Sequence, residues 1–186
     1  MVIIMKILFF SDIHGIYKNL NYLISLDKKI YFDKVICLGD LYSYGINSDL
    51  KHYISNEHVY GFLNSFKDRL ICMKGNNDFN SNIKQFDKYY KLEVDGLNMF
   101  ISHGNIYNMY NNYDYFKDNI LIYGHEHIPY IRFFNNTYFI NVGSISLPRG
   151  ESNYSFGIYN NYIFYLYDID GNIIDKCNFK EEINDD

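Results

Sequence analysis

Residues Ile4-Met5-Lys6-Ile7-Leu8-Phe9-Phe10 form an apolar run broken only by one lysine, and Ser11-Asp12-Ile13-His14-Gly15 follows at once. A run of this kind suits a strand buried on both faces, as in a parallel sheet. The polar loop after it lies where open α/β sheets hold their ligands, beyond the carboxyl end of a strand. The unit then recurs. Residues 17–26 place Leu20, Leu23 and Ile24 at helical spacing. Residues 34–38 read as a second buried strand ending in Gly39-Asp40. Residues 58–66 space Val59, Phe62, Leu63 and Phe66 as a helix, and residues 69–73 form a third strand before Gly75-Asn76-Asn77-Asp78. This βαβαβ order predicts right-handed crossovers and a parallel sheet.

The second half changes character. Residues 89–94 and 97–102 flank Asp95-Gly96, and residues 130–134 and 137–142 flank Asn135-Asn136, both strong hairpin signals. Residues 119–123 form a short strand between them. Strands are also expected at 154–159, 162–168 and 173–179, with turns at Asn160-Asn161 and Asp170-Gly171. A chain with this many strands must bury sheet faces on each other, with helices outside. The expected architecture is α/β: a four-layer αββα sandwich of two stacked mixed β-sheets flanked by helices, one domain over residues 1–186.

Composition excludes several classes. Net charge is −5 with no Lys/Arg run, which argues against extended nucleic-acid binding. The longest apolar runs fall far short of the ~20 residues a membrane span needs. The start lacks the basic segment and cleavage site of a signal peptide. Three widely spaced cysteines, Cys37, Cys72 and Cys177, suit a reduced cytoplasmic protein. Alanine and tryptophan are absent while Tyr (21) and Phe (15) abound, a genomic bias that discounts the Asn/Tyr tract at 107–115 as a binding surface.

Five polar clusters fall directly after predicted strands: Asp12-Ile13-His14, Gly39-Asp40, Gly75-Asn76-Asn77-Asp78, His103-Gly104 and Gly124-His125-Glu126-His127. Four of the six histidines lie in them. Imidazole, carboxylate and amide oxygen suit Mn²⁺, Fe, Zn²⁺ or Ni²⁺, and the lack of thiols disfavours a structural zinc site. Seven candidate ligands exceed one ion's needs but fit two ions about 3.5–4 Å apart with a shared carboxylate. The flanking glycines let the backbone turn sharply and approach closely. Each residue alone has a plainer reading: Asp12 as a helix-start acid, Asp40 as a turn residue, His14 as a surface histidine. His125 and His127, two apart after Gly124, are the strongest single signal. In an extended segment they would point the same way. His52 and His58 fit no cluster and read as surface residues, Cys37 and Cys72 as core.

These motifs, in this order, resemble the calcineurin-like metallophosphoesterases, and the short chain with Asn141-Val142-Gly143-Ser144 and Pro148-Arg149 is similar to their small YfcE-type phosphodiesterase subfamily. The resemblance runs from Asp12 to Arg149. It implies that Asp12, His14 and His127 hold one ion, that Asn76, His103 and His125 hold the other, and that Asp40 bridges them. Asp40, Asn76 and His103 would then carry catalysis. It further implies two divalent ions, Mn²⁺ first among them, and a hydroxide shared by both that attacks phosphorus in line. The substrate would be a small phosphoester, a nucleotide being one candidate. Asn77 stands where larger relatives carry a proton-donating histidine; with Arg149 it is a candidate substrate contact. Val142 replaces a common proline, and Glu126 replaces a small residue and is expected to face outward. A phosphomonoesterase of the same site is an alternative. So is a non-catalytic scaffold resembling the retromer subunit with this fold, against which stands a ligand-competent residue at all seven positions. The sequence leaves homo-oligomerisation open.

Overall fold

The computed structural model describes residues 5–42, 49–79, 82–111, 113–116 and 119–180. The opening run forms β1 (Lys6–Phe10), and its expected first residue, Ile4, lies outside the described residues. Then follow α1 (Leu20–Ile30), β2 (Lys34–Cys37), α2 (Asn56–Asn64) and β3 (Leu70–Cys72). The three strands pair in parallel, β1 with β2 and β2 with β3, as two β-α-β units require. Both helices start away from the expected residues. α1 begins three residues late, because Tyr17–Leu20 is a turn whose first N–H goes to Tyr53 O. α2 begins two residues early, because the Ser55 side chain caps it by accepting the N–H of His58.

The second half supplies β4 (Tyr89–Val94), β5 (Leu97–Ser102), β6 (Ile120–Tyr123), β7 (Pro129–Phe134), β8 (Thr137–Val142), β9 (Ser155–Asn160), β10 (Ile163–Asp168) and β11 (Ile173–Asn178). One sheet runs β11-β10-β9-β1-β2-β3, the other β4-β5-β6-β8-β7, and each mixes parallel with antiparallel pairs. Asp95-Gly96 and Asn135-Asn136 turn their hairpins with positive φ at both positions, the geometry that matches strand twist. The β9–β10 turn sits one residue later than expected, on Asn161-Tyr162. Tyr162 tolerates its φ of 67° because its N–H is taken by the Tyr159 hydroxyl.

Alternation along β1 and β2 sorts the core. Ile7, Phe9 and Ile36 meet Met99, Ile101, Ile122 and Ile140 between the sheets. Leu8, Phe10, Val35 and Cys37 face the helices, against Leu20, Leu23, Phe62 and Leu63. Cys37 and Cys72 are buried core residues, as expected. The second sheet has an outer layer of its own. Among the described residues it is a 3₁₀ turn, Tyr113–Phe116, within a hydrophobic cluster of Phe116, Leu121, Tyr123 and Phe139. No described helix is long and apolar enough to cross a membrane.

Candidate metal centre

The loops after β1, β2, β3, β5 and β6 converge, and they carry all seven candidate ligands. Asp12 is fully buried, and His14, Asp40, His103 and His127 nearly so. One group joins Asp12, His14 and His127; a second joins Asp12, Asp40 and His103. Asp12 Oδ1 lies 3.2 Å from His127 Nε2 and 3.7 Å from His14 Nε2. The two ring nitrogens of His14 and His127 stand 3.3 Å apart. Asp40 reaches both halves: Oδ2 is 3.6 Å from His14 Nε2, and Oδ1 is 3.6 Å from His103 Nε2. Asn76 Oδ1 meets His103 Nε2 at 3.1 Å. His125 completes that half by its ring, set edge-on to His103 with centroids 5.0 Å apart.

The donor chemistry identifies what fits between these atoms. His103 Nδ1 lies 2.8 Å from Leu38 O, and His127 Nδ1 bonds to Leu147 O. A carbonyl only accepts, so each ring donates its Nδ1–H there and presents the Nε2 lone pair to the centre. On one side the His127 lone pair faces Asp12 Oδ1; on the other the His103 lone pair faces Asn76 Oδ1 and Asp40 Oδ1. Asp12 Oδ1 is buried without a hydrogen bond of good geometry among the described residues. Acceptors aimed at acceptors in a buried site fit a cation. With no cation, a proton is the substitute. Burial lowers the proton affinity of His127, but the Asp12 carboxylate outweighs it and the net shift is upward. Burial also disfavours the Asp12 anion, yet the His127 and His14 rings beside it hold its carboxyl well below the usual range. His125, half-buried and next to His103, moves down.

Five of the seven residues have positive φ: Asp12 (56°), His14 (50°), Asp40 (53°), His125 (67°) and His127 (63°). Non-glycine residues adopt this conformation only where surroundings enforce it. Hydrogen bonds supply that enforcement. The N–H of Asp12 goes to Gly39 O, and that of His14 to Asp40 O. Ser144 Oγ donates to Asp12 O, and Asn141 Nδ2 donates to Gly124 O. Asp78 ties two loops, accepting from Leu41 N–H at 2.8 Å and Gly75 N–H at 2.9 Å. The expected extended segment at His125 and His127 is instead a tight turn, with Glu126 N–H bonded to Gly124 O at 2.8 Å. The two rings therefore diverge, His127 to Asp12 and His14, His125 to His103.

Of the two candidate substrate contacts, Asn77 spends its amide on Asp40. Its N–H donates to Oδ1 at 2.9 Å and its Nδ2 to Oδ2 at 2.7 Å. Arg149 is exposed at the rim, its N–H bonded to His127 O. His52 and His58 lie exposed, away from the centre, and His58 stacks on Tyr17. Glu126 points away from the ligand atoms but is half-buried rather than outward, bonded to Tyr130.

Gly75 and Gly124 leave no room for a side chain. A Cβ on Gly75 would sit 2.1 Å from Asp40 Oδ1, and one on Gly124 would sit 2.0 Å from Ser11 Oγ and 2.6 Å from Asp12 Oδ2. Gly124→Ala must push Asp12 aside. It should cost about 1–3 kcal/mol of stability and ~10-fold or more in metal affinity, measured by thermal melting and metal titration.

Comparison with known proteins supplies the class of these two stacked sheets and of the centre at their strand ends: a metal-dependent phosphoric ester hydrolase. The model of the calcineurin-like phosphoesterase superfamily domain matches residues 5–161. The chain belongs to that superfamily. Phosphodiesterase YfcE of Escherichia coli (strain K12) is 26% identical over 164 residues, 84% of this chain and 88% of that protein. The structure of Yfce, a phosphoesterase from E. coli, matches with a TM-score of 0.85 at 24% identity over 94% of this chain and 100% of that one. Vps29 from Entamoeba histolytica, complexed with Zn²⁺, shares the fold at a TM-score of 0.65 and 20% identity, over 94% and 99%.

Proposed function

We propose that this chain is a dinuclear phosphodiesterase acting on a small phosphoester, with Asp40 as the carboxylate common to both ions. The observation that supports it most is the facing of lone pairs: His127 Nε2 toward Asp12 Oδ1, and His103 Nε2 toward Asp40 Oδ1 and Asn76 Oδ1. One ion would be held by Asp12, His14 and His127, the other by Asn76, His103 and His125. Bound there, two divalent ions would neutralise phosphate oxygens and acidify a shared water for in-line attack on phosphorus.

The protein's own groups do the rest. Asp40 keeps one oxygen toward each half, and the Asn77 N–H and amide hold it in that orientation. Leu38 O and Leu147 O fix the tautomers of His103 and His127, so neither ring has to turn as charge develops. Asn76, exposed at the mouth, presents its amide to an incoming phosphate. The positive charge of Arg149 acts on the His127 side of the rim, where it also opposes protonation of that ring. Mn²⁺ is the first choice of metal, with Fe, Zn²⁺ or Ni²⁺ compatible with the same ligands. Buried free thiols suit a cytoplasmic setting.

Asn77 cannot donate a proton usefully near neutral pH, and its amide is engaged on Asp40. The rate should therefore fall steeply as the leaving group becomes more basic, with bis(p-nitrophenyl) phosphate a far better substrate than an alkyl diester. Turnover of a substituted phenyl series with added Mn²⁺ measures this. A flat dependence would mean that another group donates the proton, and no turnover with any of these metals would remove the phosphodiesterase reading.

A further inference from the structure

The residue between the two turn histidines has a partner chain of its own. The Glu126 carboxylate accepts the Tyr130 hydroxyl, at 3.1 and 3.3 Å from its two oxygens. The hydroxyl oxygens of Tyr130 and Tyr123 are 2.6 Å apart, and Tyr123 Oη accepts the N–H of Met109 at 3.2 Å. Tyr130 has a single proton, given to Glu126, so Tyr123 donates to Tyr130. The bonds then run in one direction, from Met109 N–H through both hydroxyls to the carboxylate. Burial raises both phenols well above their ordinary pKa, so the hydroxyls stay protonated donors. The Arg132 guanidinium lies 4.9 Å over the Tyr130 ring, and it donates to Tyr110 Oη at 3.3 Å.

The other end of this chain is anchored as firmly. Asn108 Nδ2 donates to Gly104 O at 2.7 Å, beside His103, and Ser102 Oγ donates to Tyr107 O at 3.1 Å. Residues 107–111, discounted from composition, are thus tied to the His103 loop directly and to the 124–127 turn through three side chains. That turn needs a restraint, because His125 and His127 both hold positive φ.

We infer that Glu126, held by Tyr130 and Tyr123, is a positioning residue that fixes the 124–127 turn so that His125 and His127 are aimed into two separate metal sites. The inference rests on the dinuclear reading above. Glu126 touches no candidate ligand atom; it acts through the backbone it shares with both histidines.

The test is Mn²⁺ binding to the full chain after removal of metal with a chelator, followed by competition with a metal indicator. Glu126→Ala and Tyr130→Phe should each weaken Mn²⁺ binding by ~10-fold or more. Glu126→Gln keeps an acceptor oxygen for Tyr130 and should bind close to the parent. Combining Glu126→Ala with Tyr130→Phe should add little to either alone, because both remove the same bond. Melting of the ion-free variants checks folding. If Glu126→Ala unfolds, Tyr130→Phe, which deletes one oxygen, carries the test. Parent-like Mn²⁺ affinity in both disrupting variants would overturn the inference, as would Glu126→Gln binding as weakly as Glu126→Ala. A parent chain that binds fewer than two Mn²⁺ would overturn the dinuclear reading and the inference with it.

Discussion

Asp40→Asn should lower kcat by ~10²-fold or more while the protein stays folded. The carboxylate has one oxygen 3.6 Å from His14 Nε2 and the other 3.6 Å from His103 Nε2. It is the group whose charge both ions would share. The substitution keeps shape and volume but removes that charge. It also turns an NH₂ toward a donor, because Asn77 gives both its N–H and its Nδ2 to this carboxylate. One end of the new amide is then mispaired whichever way it lies. Turnover of an aryl diester and metal content per chain, measured on the same preparation, check the result. Two retained ions and a near-parental rate would mean that Asp40 is not the bridge.

His125→Ala and His127→Ala should each leave about one tightly held metal per chain and abolish most diesterase activity. Their rings diverge from one turn, so each change strips one imidazole from one half and leaves the other half's ligands in place. The two variants should differ in stability. His127 is buried and bonded to Leu147 O, so its loss leaves a part-buried carbonyl without its donor and should lower the melting temperature more. His125 is half-buried and engages the centre by its ring alone, apart from its N–H on Asp12 Oδ2. Both should still fold, because the apolar packing between the sheets and under the helices makes no use of the ligands. Two tight metals in both variants would remove these histidines from the site. Unfolding of both would make the centre structural.

The parts of this centre that could be read in the sequence are those carried by residue type and position. Apolar runs ending in Asp12, Asp40, Asn76 and His103 located strand ends, and strand ends in such sheets converge. Asp95-Gly96 and Asn135-Asn136 specified their own turns. What resisted reading depends on backbone conformation and distant partners. Nothing in Gly-His-Glu-His spells a tight turn rather than an extended segment; that follows from Asn141 reaching Gly124 O and Glu126 reaching Tyr130. Asn77 was legible as a missing acid but not as the clamp on Asp40, a contact across 37 positions. The Ser55 cap was legible and would have placed the start of α2. The tract at 107–111 looked like codon bias, and its ties to Gly104 and Tyr123 join elements that periodicity does not connect.

The most direct measurement is anomalous diffraction from crystals grown with Mn²⁺. The account predicts two peaks, ~3.5–4 Å apart, on either side of the Asp40 carboxylate, one among Asp12, His14 and His127 and the other among Asn76, His103 and His125. A single peak, or two peaks that do not share Asp40, would contradict it.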